Sequence, residues 1–588
     1  MEVKRLFDLL PYRKQTNPQR PVFTYKENGE WKKHYIGEYI SNANLISYGL
    51  LAMGVNKGEN IALISAGRPE WNYVDMGVQQ IGAVLVPIYP TISEDDYRFI
   101  LNNAEVKYII VETEALLHKI QHIQADLPLL KQIYTINPIE NTPSLQDIIN
   151  LGINNQDPDI LQKIQDGITT DDIATIIYTS GTTGTPKGVM LPHKSILLNL
   201  FGIEESPLPH FTNALSWMPL CHIYERMMNY LYQYKGFETY YAENIGNVTE
   251  NILDAKPHIM AAVPRFLEKV YDKIYRKGEK LTGFKRKVFF WALELGFRYD
   301  INEKKLSLWY KLQRKIADKL IYKTIRESLG GNLDMLVSGG ASIQPRLTRF
   351  FSCVGLTLYE GYGLTECGPL VAVTNSHGGR KVGTVGFPLR GLEVRIDPET
   401  KEIQCKGGNV MKGYYKSPEL TAEVIDSEGW FHTGDTGRFD EEGFLFLTGR
   451  TKSMFKTSMG KFVNPEVIED KMKESPFILD MMVVGEGQKF AGAIIEPDFD
   501  FLKDWQMRHH ITNCQTREEM ISNPQTLARY QRVIDKYNAT LGNTEQVKKF
   551  CLITDNWTDA NRFLTPTLKI RRRVIANAYK SQIEELFK

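Results

Sequence analysis

Short, uninterrupted apolar runs that alternate with helical patterns constrain this chain more than any other feature. NIALISA (Asn60 to Ala66), AVLVPIYP (Ala83 to Pro90), VKYIIVE (Val106 to Glu112) and IATIIYTS (Ile173 to Ser180) are rich in Val and Ile and do not alternate with polar residues. Runs of that kind are strands buried on both faces, as in a parallel sheet covered by helices. Between the first two, RPEWNYVDMGVQQIG predicts a helix that opens near Pro69 and keeps an apolar face. The fold class is therefore α/β. A chain of 588 residues outgrows one hydrophobic core, so at least two domains are expected.

The texture changes along the chain. Residues 278–320 read as helical, basic and aromatic, and LDMLVSGGASI then returns to strand and loop. From Val382 to Arg450 short strands with Gly turns predict a small β-rich subdomain. After Arg450 mixed strands and helices begin again, which sets the expected division at 1–450 and 451–588. The larger piece is then an N-terminal domain of parallel α/β layers plus the β-rich subdomain, and the smaller one an α+β domain.

Composition excludes several classes. Net charge is +1, which gives no global attraction to nucleic acid. The six cysteines are scattered without a C-x-x-C pair, so neither a zinc site nor a disulfide framework is indicated. A reducing compartment fits them, and MEVKRLFDLLPYRKQ lacks a secretory pattern, so a cytoplasmic location is expected. No window approaches about 18 uninterrupted apolar residues, so no spanning helix is expected.

YTSGTTGTPKGVM (Tyr178 to Met190) follows directly from a predicted strand. Gly lets backbone N–H groups approach an anion, and Ser, Thr and Lys add donors and charge. Its order, Gly181-x-x-Gly184-x-x-Lys187-Gly188, is not that of a P-loop. By composition it is a flexible turn or an anion loop, and ligands in open α/β sheets sit at strand ends of this kind. The residue order resembles the phosphate loop of the AMP-forming, adenylate-forming superfamily, which holds acyl-CoA synthetases, luciferases and peptide-synthetase adenylation domains.

Further stretches carry the same resemblance. VSGGASI, YEGYGLTECGP, WFHTGDTGRFD, LTGRTKSMFKTSMGKFVNP and LTPTLKIRRR fall in the family's order. The resemblance implies that Thr179, Ser180, Gly181, Thr182, Thr183, Gly184 and Lys187 hold the phosphates of ATP. It implies that Gly339, Gly340 and Ala341 line the adenine site, together with Glu360, Gly361, Tyr362 and Gly363, with Tyr362 stacked on the ring. Thr365 then contacts the α-phosphate, Thr182 and Glu366 hold Mg²⁺, Asp435 takes the ribose, and Arg450 adds a ribose or phosphate contact. Lys452 matches the hinge about which a mobile C-terminal lid rotates, and Met459 stands where many members have Gly. His222 lies beside the substrate carboxylate and Lys569 matches the essential lysine. Read alone, His222 is more often a structural histidine than a catalytic one, and the KIRRR run a solvated basic loop.

PLCHIYER, VPRFLEKVYDKI, LTPTLK and the 278–320 segment are similar to the long-chain fatty acyl-CoA synthetases. The resemblance spans roughly Leu6 to Phe587. It implies activation of a fatty acid with ATP to acyl-AMP and pyrophosphate, then transfer to CoA. The alternative is a fatty acyl-AMP ligase that serves a carrier protein. Phe284, Val288, Trp291 and Leu295 recur at helical spacing among Lys and Arg, which suits either a helix packed on the core or one resting on the inner face of a membrane. Some relatives of this branch dimerise, so a homodimer belongs to the expectations.

Overall fold

The computed structural model describes residues 2–180, 185–203, 211–374, 379–451, 453–458, 461–511, 514–558, 561–565 and 568–588, with Ser180, Ile245 and Lys304 described by backbone alone. Two large sheets form the N-terminal part. The first has seven strands in the order Gly413–Tyr414, Pro186–Pro192, Ile173–Ser180, Val84–Pro87, Asn60–Ile64, Tyr108–Val111 and Gln132–Thr135. The five from Ile173–Ser180 onward are parallel, as the apolar runs predict. The predicted helix opens at Pro69, where the missing N–H costs nothing, and runs Pro69–Gln80.

Ile173–Ser180 does not lead into a helix. It pairs antiparallel with Pro186–Pro192, so the glycine stretch joins a hairpin. Gly188 sits opposite Tyr178, and a Cβ there would meet the Tyr178 ring at 3.0 Å.

The second sheet has nine strands: Phe387–Pro388, Leu370–Val373, Thr357–Gly363, Met335–Ser338, Ile259–Ala262, Asn213–Ser216, Glu238–Tyr241, Phe23–Glu27 and Glu30–His34. It is parallel in the middle and antiparallel at both ends. One apolar core joins the two sheets, with Trp71, Val74, Met227 and Tyr230 from the helices between them. There Arg226, on the helix Ile223–Lys235, is fully buried and bonds Asp75, the Tyr230 hydroxyl and Thr175 Oγ1. A separate core backs the nine-stranded sheet with the helices Pro264–Glu279, Gly283–Phe297 and Pro345–Val354.

The β-rich region is a four-stranded antiparallel sheet: Glu393–Ile396, Glu402–Lys406, Phe431–Phe439 and Leu445–Arg450. Beyond it, Ile478–Val484, Ala491–Pro497 and Val547–Leu552 form a three-stranded sheet with an apolar cluster on each face. The architecture is thus a mixed α/β fold with a large N-terminal and a small C-terminal domain. The helix Pro264–Glu279 links the two. Tyr275 packs against the C-terminal core, Arg276 pairs with Asp498 at 2.5 Å, and Arg508 holds Glu279 through two bonds of 3.0 and 3.2 Å. No helix of the described residues is long and apolar enough to cross a membrane.

Candidate active site

Strand ends from different sheets are brought together by Tyr362, Asp435 and Arg450. In Thr357–Gly363 every second side chain is buried, which puts Glu360 and Tyr362 on the same face. The Glu360 carboxyl accepts from Thr348 Oγ1 at 3.1 Å, and burial pushes its pKa up to about 8, so it is largely neutral at pH 7. The Tyr362 hydroxyl donates to Asp435 Oδ2 at 2.8 Å. Gly361 and Gly363 flank Tyr362, and Gly363 is obligatory because a Cβ would lie 1.9 Å from the Pro369 carbonyl.

Asp435 belongs to Phe431–Phe439, and the antiparallel register sets it directly opposite Arg450. Arg450 Nε donates to Asp435 Oδ1 at 2.8 Å. Both carboxylate oxygens are thus engaged, one from each side.

Met335–Ser338 runs beside Thr357–Gly363 and ends in Gly339, Gly340 and Ala341. Gly340 has φ +86°, a conformation that glycine adopts without strain. A Cβ on Gly339 would press on the Tyr224 ring at 3.1 Å, and the Tyr224 hydroxyl donates to the Val337 carbonyl at 2.6 Å. Tyr224 thereby ties this turn to the start of the helix Ile223–Lys235.

That helix start carries His222 as its N-cap. Nδ1 accepts the Tyr224 N–H at 3.2 Å, which leaves the proton of the neutral ring on Nε2. Burial, and secondarily the charge of Lys569, lower its pKa to about 4. His222 is neutral at pH 7 and presents an N–H donor.

A second cluster lies at the hairpin of Ile173–Ser180 and Pro186–Pro192. Lys187 Nζ stands 5.0 Å from the centre of the Tyr414 ring, and Tyr414 Oη donates to Glu366 Oε1 at 2.8 Å. Glu366 sits in the short turn Thr365–Cys367 with Thr365 beside it, and burial raises its carboxyl pKa despite the opposing effects of Tyr414 and Lys187. Thr179 pairs with Lys187 in the hairpin. Gly181, Thr182, Thr183, Gly184, Lys452 and Met459 lie outside the described residues, as does the side chain of Ser180.

Lys569 comes from the C-terminal domain. Its backbone N–H donates to Thr565 Oγ1 at 3.0 Å, and its carbonyl accepts the Thr565 N–H at 2.7 Å, which closes the loop that presents it. The residue is exposed to solvent, yet charged groups of both domains, Arg450, Asp435 and Glu466, gather around it. Burial first, then repulsion from Arg450, lower its pKa from 10.5 to about 8, against attraction from Asp435 and Glu466. His222, Arg450 and Asp435 are therefore its electrostatic neighbours across the domain boundary.

Tyr224, Tyr414 and Glu466 are absent from the sequence reading. Tyr414 lies far from Glu366 in sequence, and only the pairing of Gly413–Tyr414 with Pro186–Pro192 brings it there. Glu466 opens the helix Pro465–Met472 and accepts from Ser453 Oγ at 3.2 Å.

Comparison with known proteins gives a consistent picture. Residues 11–415 match the model described as AMP-binding enzyme, and residues 453–588 match that of the AMP-binding enzyme C-terminal domain. The chain is 30% identical over 576 residues to a long-chain-fatty-acid–CoA ligase of Mycobacterium bovis, covering 97% of this chain and 95% of the relative. It is 30% identical over 593 residues to the peroxisomal long chain acyl-CoA synthetase 6 of Arabidopsis thaliana, covering 95% and 82%. The solved adenylation domain of a carboxylic acid reductase from Segniliparus rugosus, in complex with AMP and a co-purified carboxylic acid, superposes with a TM-score of 0.78. That match has 20% identity and covers 100% of this chain and 94% of the other.

Proposed function

Because the chain belongs to the AMP-binding, adenylate-forming enzymes, we propose that it is a long-chain fatty acid–CoA ligase, which couples ATP cleavage to thioester formation through an acyl-adenylate. The observation that carries this reading is the meeting of Lys569, from the C-terminal domain, with His222, Asp435 and Arg450 from the N-terminal domain.

A carboxylate is a poor acyl donor, and its attack on the α-phosphate of ATP replaces oxide by AMP as leaving group. The acid is already ionised at pH 7, so no general base is needed. Neutral His222 orients it by donating the Nε2 proton. Lys569, charged below pH 8, meets the negative charge that builds between the carboxylate and the α-phosphate. Thr365 adds a hydroxyl donor at the α-phosphate, and the hairpin from Thr179 to Lys187 holds the rest of the triphosphate. Tyr362 and the Gly339–Gly340–Ala341 turn flank the adenine, with Glu360 on the same face of the strand as Tyr362. Asp435 and Arg450 take the ribose hydroxyls.

Mg²⁺ fits this donor set. A hard cation bound mainly by phosphate oxygens needs one or two protein oxygens. Glu366 offers Oε2 beside Lys187 and its hairpin, its Oε1 being held by Tyr414, and Thr182 is the second ligand of the proposal. When bound, the ion neutralises charge on the phosphates.

We assign 1–450 to the ATP- and acyl-binding domain and 451–588 to a mobile lid. The end of the last β-rich strand at Arg450 and the start of the C-terminal core at Phe455 support that division. Rotation about Lys452 withdraws Lys569 once the adenylate has formed and admits CoA for the second half-reaction. Mass spectrometry of purified protein with ATP, Mg²⁺ and acids of graded length, with and without CoA, tests the reading. Acyl-CoA and AMP, peaking at long chains, are expected. Acyl-AMP that accumulates whether or not CoA is present would overturn CoA as the acceptor.

A further inference from the structure

The apolar positions singled out at helical spacing in Gly283–Phe297 do not form a free face. Leu295 is buried, Val288 and Trp291 are half-buried, and only Phe284 stands out. The unpartnered stripe belongs to the next helix. Leu308 is 85% exposed and Trp309 66%, and Leu312, Ile316 and Leu320 lie between 44 and 54%. Leu308, Leu312, Ile316 and Leu320 follow each other at four-residue steps along Leu308–Ala317 and the turn Asp318–Tyr322, so they form one ridge with Trp309 beside its start.

The helix under this ridge is firmly seated. Tyr310 Oη donates to the Leu295 carbonyl at 2.6 Å, Arg314 Nε to the Cys353 carbonyl at 3.1 Å and Tyr322 Oη to the Ala292 carbonyl at 2.7 Å. Ala317 and Tyr322 are buried on the inner side. The outward apolar ridge is thus presented by a fixed platform.

Charge runs along the ridge. Lys311, Lys315 and Lys319 are exposed, share the four-residue step and sit one position ahead of Leu312, Ile316 and Leu320. None of the three has a carboxylate within 4 Å among the described residues, whereas the nearby Arg314 and Arg326 are paired with Glu303 and Asp318. A fixed apolar ridge flanked by unpaired lysines, with a Trp at one end, is the make-up of a helix that lies in a lipid–water interface.

We propose that the Leu308–Leu320 face docks on an anionic phospholipid bilayer, with Leu308, Trp309, Leu312, Ile316 and Leu320 in the acyl boundary and Lys311, Lys315 and Lys319 at the headgroups. Charge selects this occupant over a second copy of the chain. A two-fold pairing through the ridge would set each lysine row against its own copy, and like charges so placed repel.

The test uses the full chain without substrates, sedimented with vesicles of phosphatidylcholine and phosphatidylglycerol (1:1) and with vesicles of phosphatidylcholine alone. Each basic side chain near an anionic surface contributes roughly fivefold to partitioning. The triple variant Lys311→Gln, Lys315→Gln, Lys319→Gln is therefore expected to bind the mixed vesicles about a hundredfold more weakly. Leu308→Ser, Trp309→Ser, Leu312→Ser is expected to abolish binding, and phosphatidylcholine alone to retain little wild-type protein. All six side chains face solvent, and unchanged ATP–pyrophosphate exchange with a water-soluble acid shows that the variants are folded. Wild-type protein that stays in the supernatant, or triple variants that bind like wild type, would overturn the proposal. So would a dimer, seen by sedimentation velocity, that the serine variant dissociates while vesicle binding is unaffected.

Discussion

Lys569 makes the pH profile of the first half-reaction a test of its proposed role. Its pKa is lowered to about 8, chiefly by burial and then by Arg450. The proposed role requires the ammonium form, so activity should fall as pH rises through 8. With a pKa of about 8, roughly nine-tenths of the group is protonated at pH 7 and roughly one-tenth at pH 9. The kcat/KM for ATP in fatty-acid-dependent pyrophosphate exchange reports free-enzyme groups. It should drop about tenfold between those two pH values. Lys569→Arg, whose guanidinium keeps its proton, should have lower activity overall but lose this alkaline limb. An alkaline limb that persists unchanged in Lys569→Arg, or a wild-type profile flat to pH 10, would refute the assignment.

Four further outcomes are expected. Lys569→Ala should slow adenylation at least about a hundredfold yet leave thioester formation from supplied acyl-AMP largely intact, as measured by the two half-reactions separately. Glu366→Gln should lower adenylation by about a hundredfold and raise the Mg²⁺ concentration needed for half-maximal rate, read from a metal titration. Arg276→Ala combined with Arg508→Ala removes the bridges of Arg276 to Asp498 and Asp500 and that of Arg508 to Glu279, partly exposed pairs worth at most about 1 kcal/mol each. Adenylation should fall by up to about tenfold while thioester formation holds, and an equal loss of both would argue against a role in closure. Arg226→Ala leaves Asp75 buried without its partner and should cost about 3–5 kcal/mol, visible as a large fall in thermal midpoint.

Local signals were readable where they sat inside one continuous run. Ile173–Ser180 is found to the residue because its β-branched stretch is unbroken up to the glycines. Pro186–Pro192 escaped because Pro186 and Gly188 look like turn residues. Gly188 is in fact there because Ile176 and the Tyr178 ring together leave no room for a side chain. The separate stretches around Tyr362 and Asp435 were visible by resemblance, but their hydrogen bond depends on the β-rich sheet being laid beside Thr357–Gly363. Tyr414 was invisible for the same reason, since a two-residue strand carries no periodicity. In the 278–320 segment periodicity correctly announced amphipathic helices. It does not say which face finds a neighbour, and so Leu295 proved buried while Leu308 and Trp309 did not.

The bridges between the two domains alternate in polarity. At Arg276–Asp498 the large domain supplies the cation, and at Glu279–Arg508 it supplies the anion. Slide the small domain along the Pro264–Glu279 helix by one turn and Arg276 moves towards Arg508 while attraction is lost at both ends. Two charges of one sign on each side would have tolerated that slip. The mixed pattern instead acts as a key that recognises one docking position and rejects its neighbours, so the placement of Lys569 near Arg450, Asp435 and His222 inherits its accuracy from residues that stand apart from that cluster.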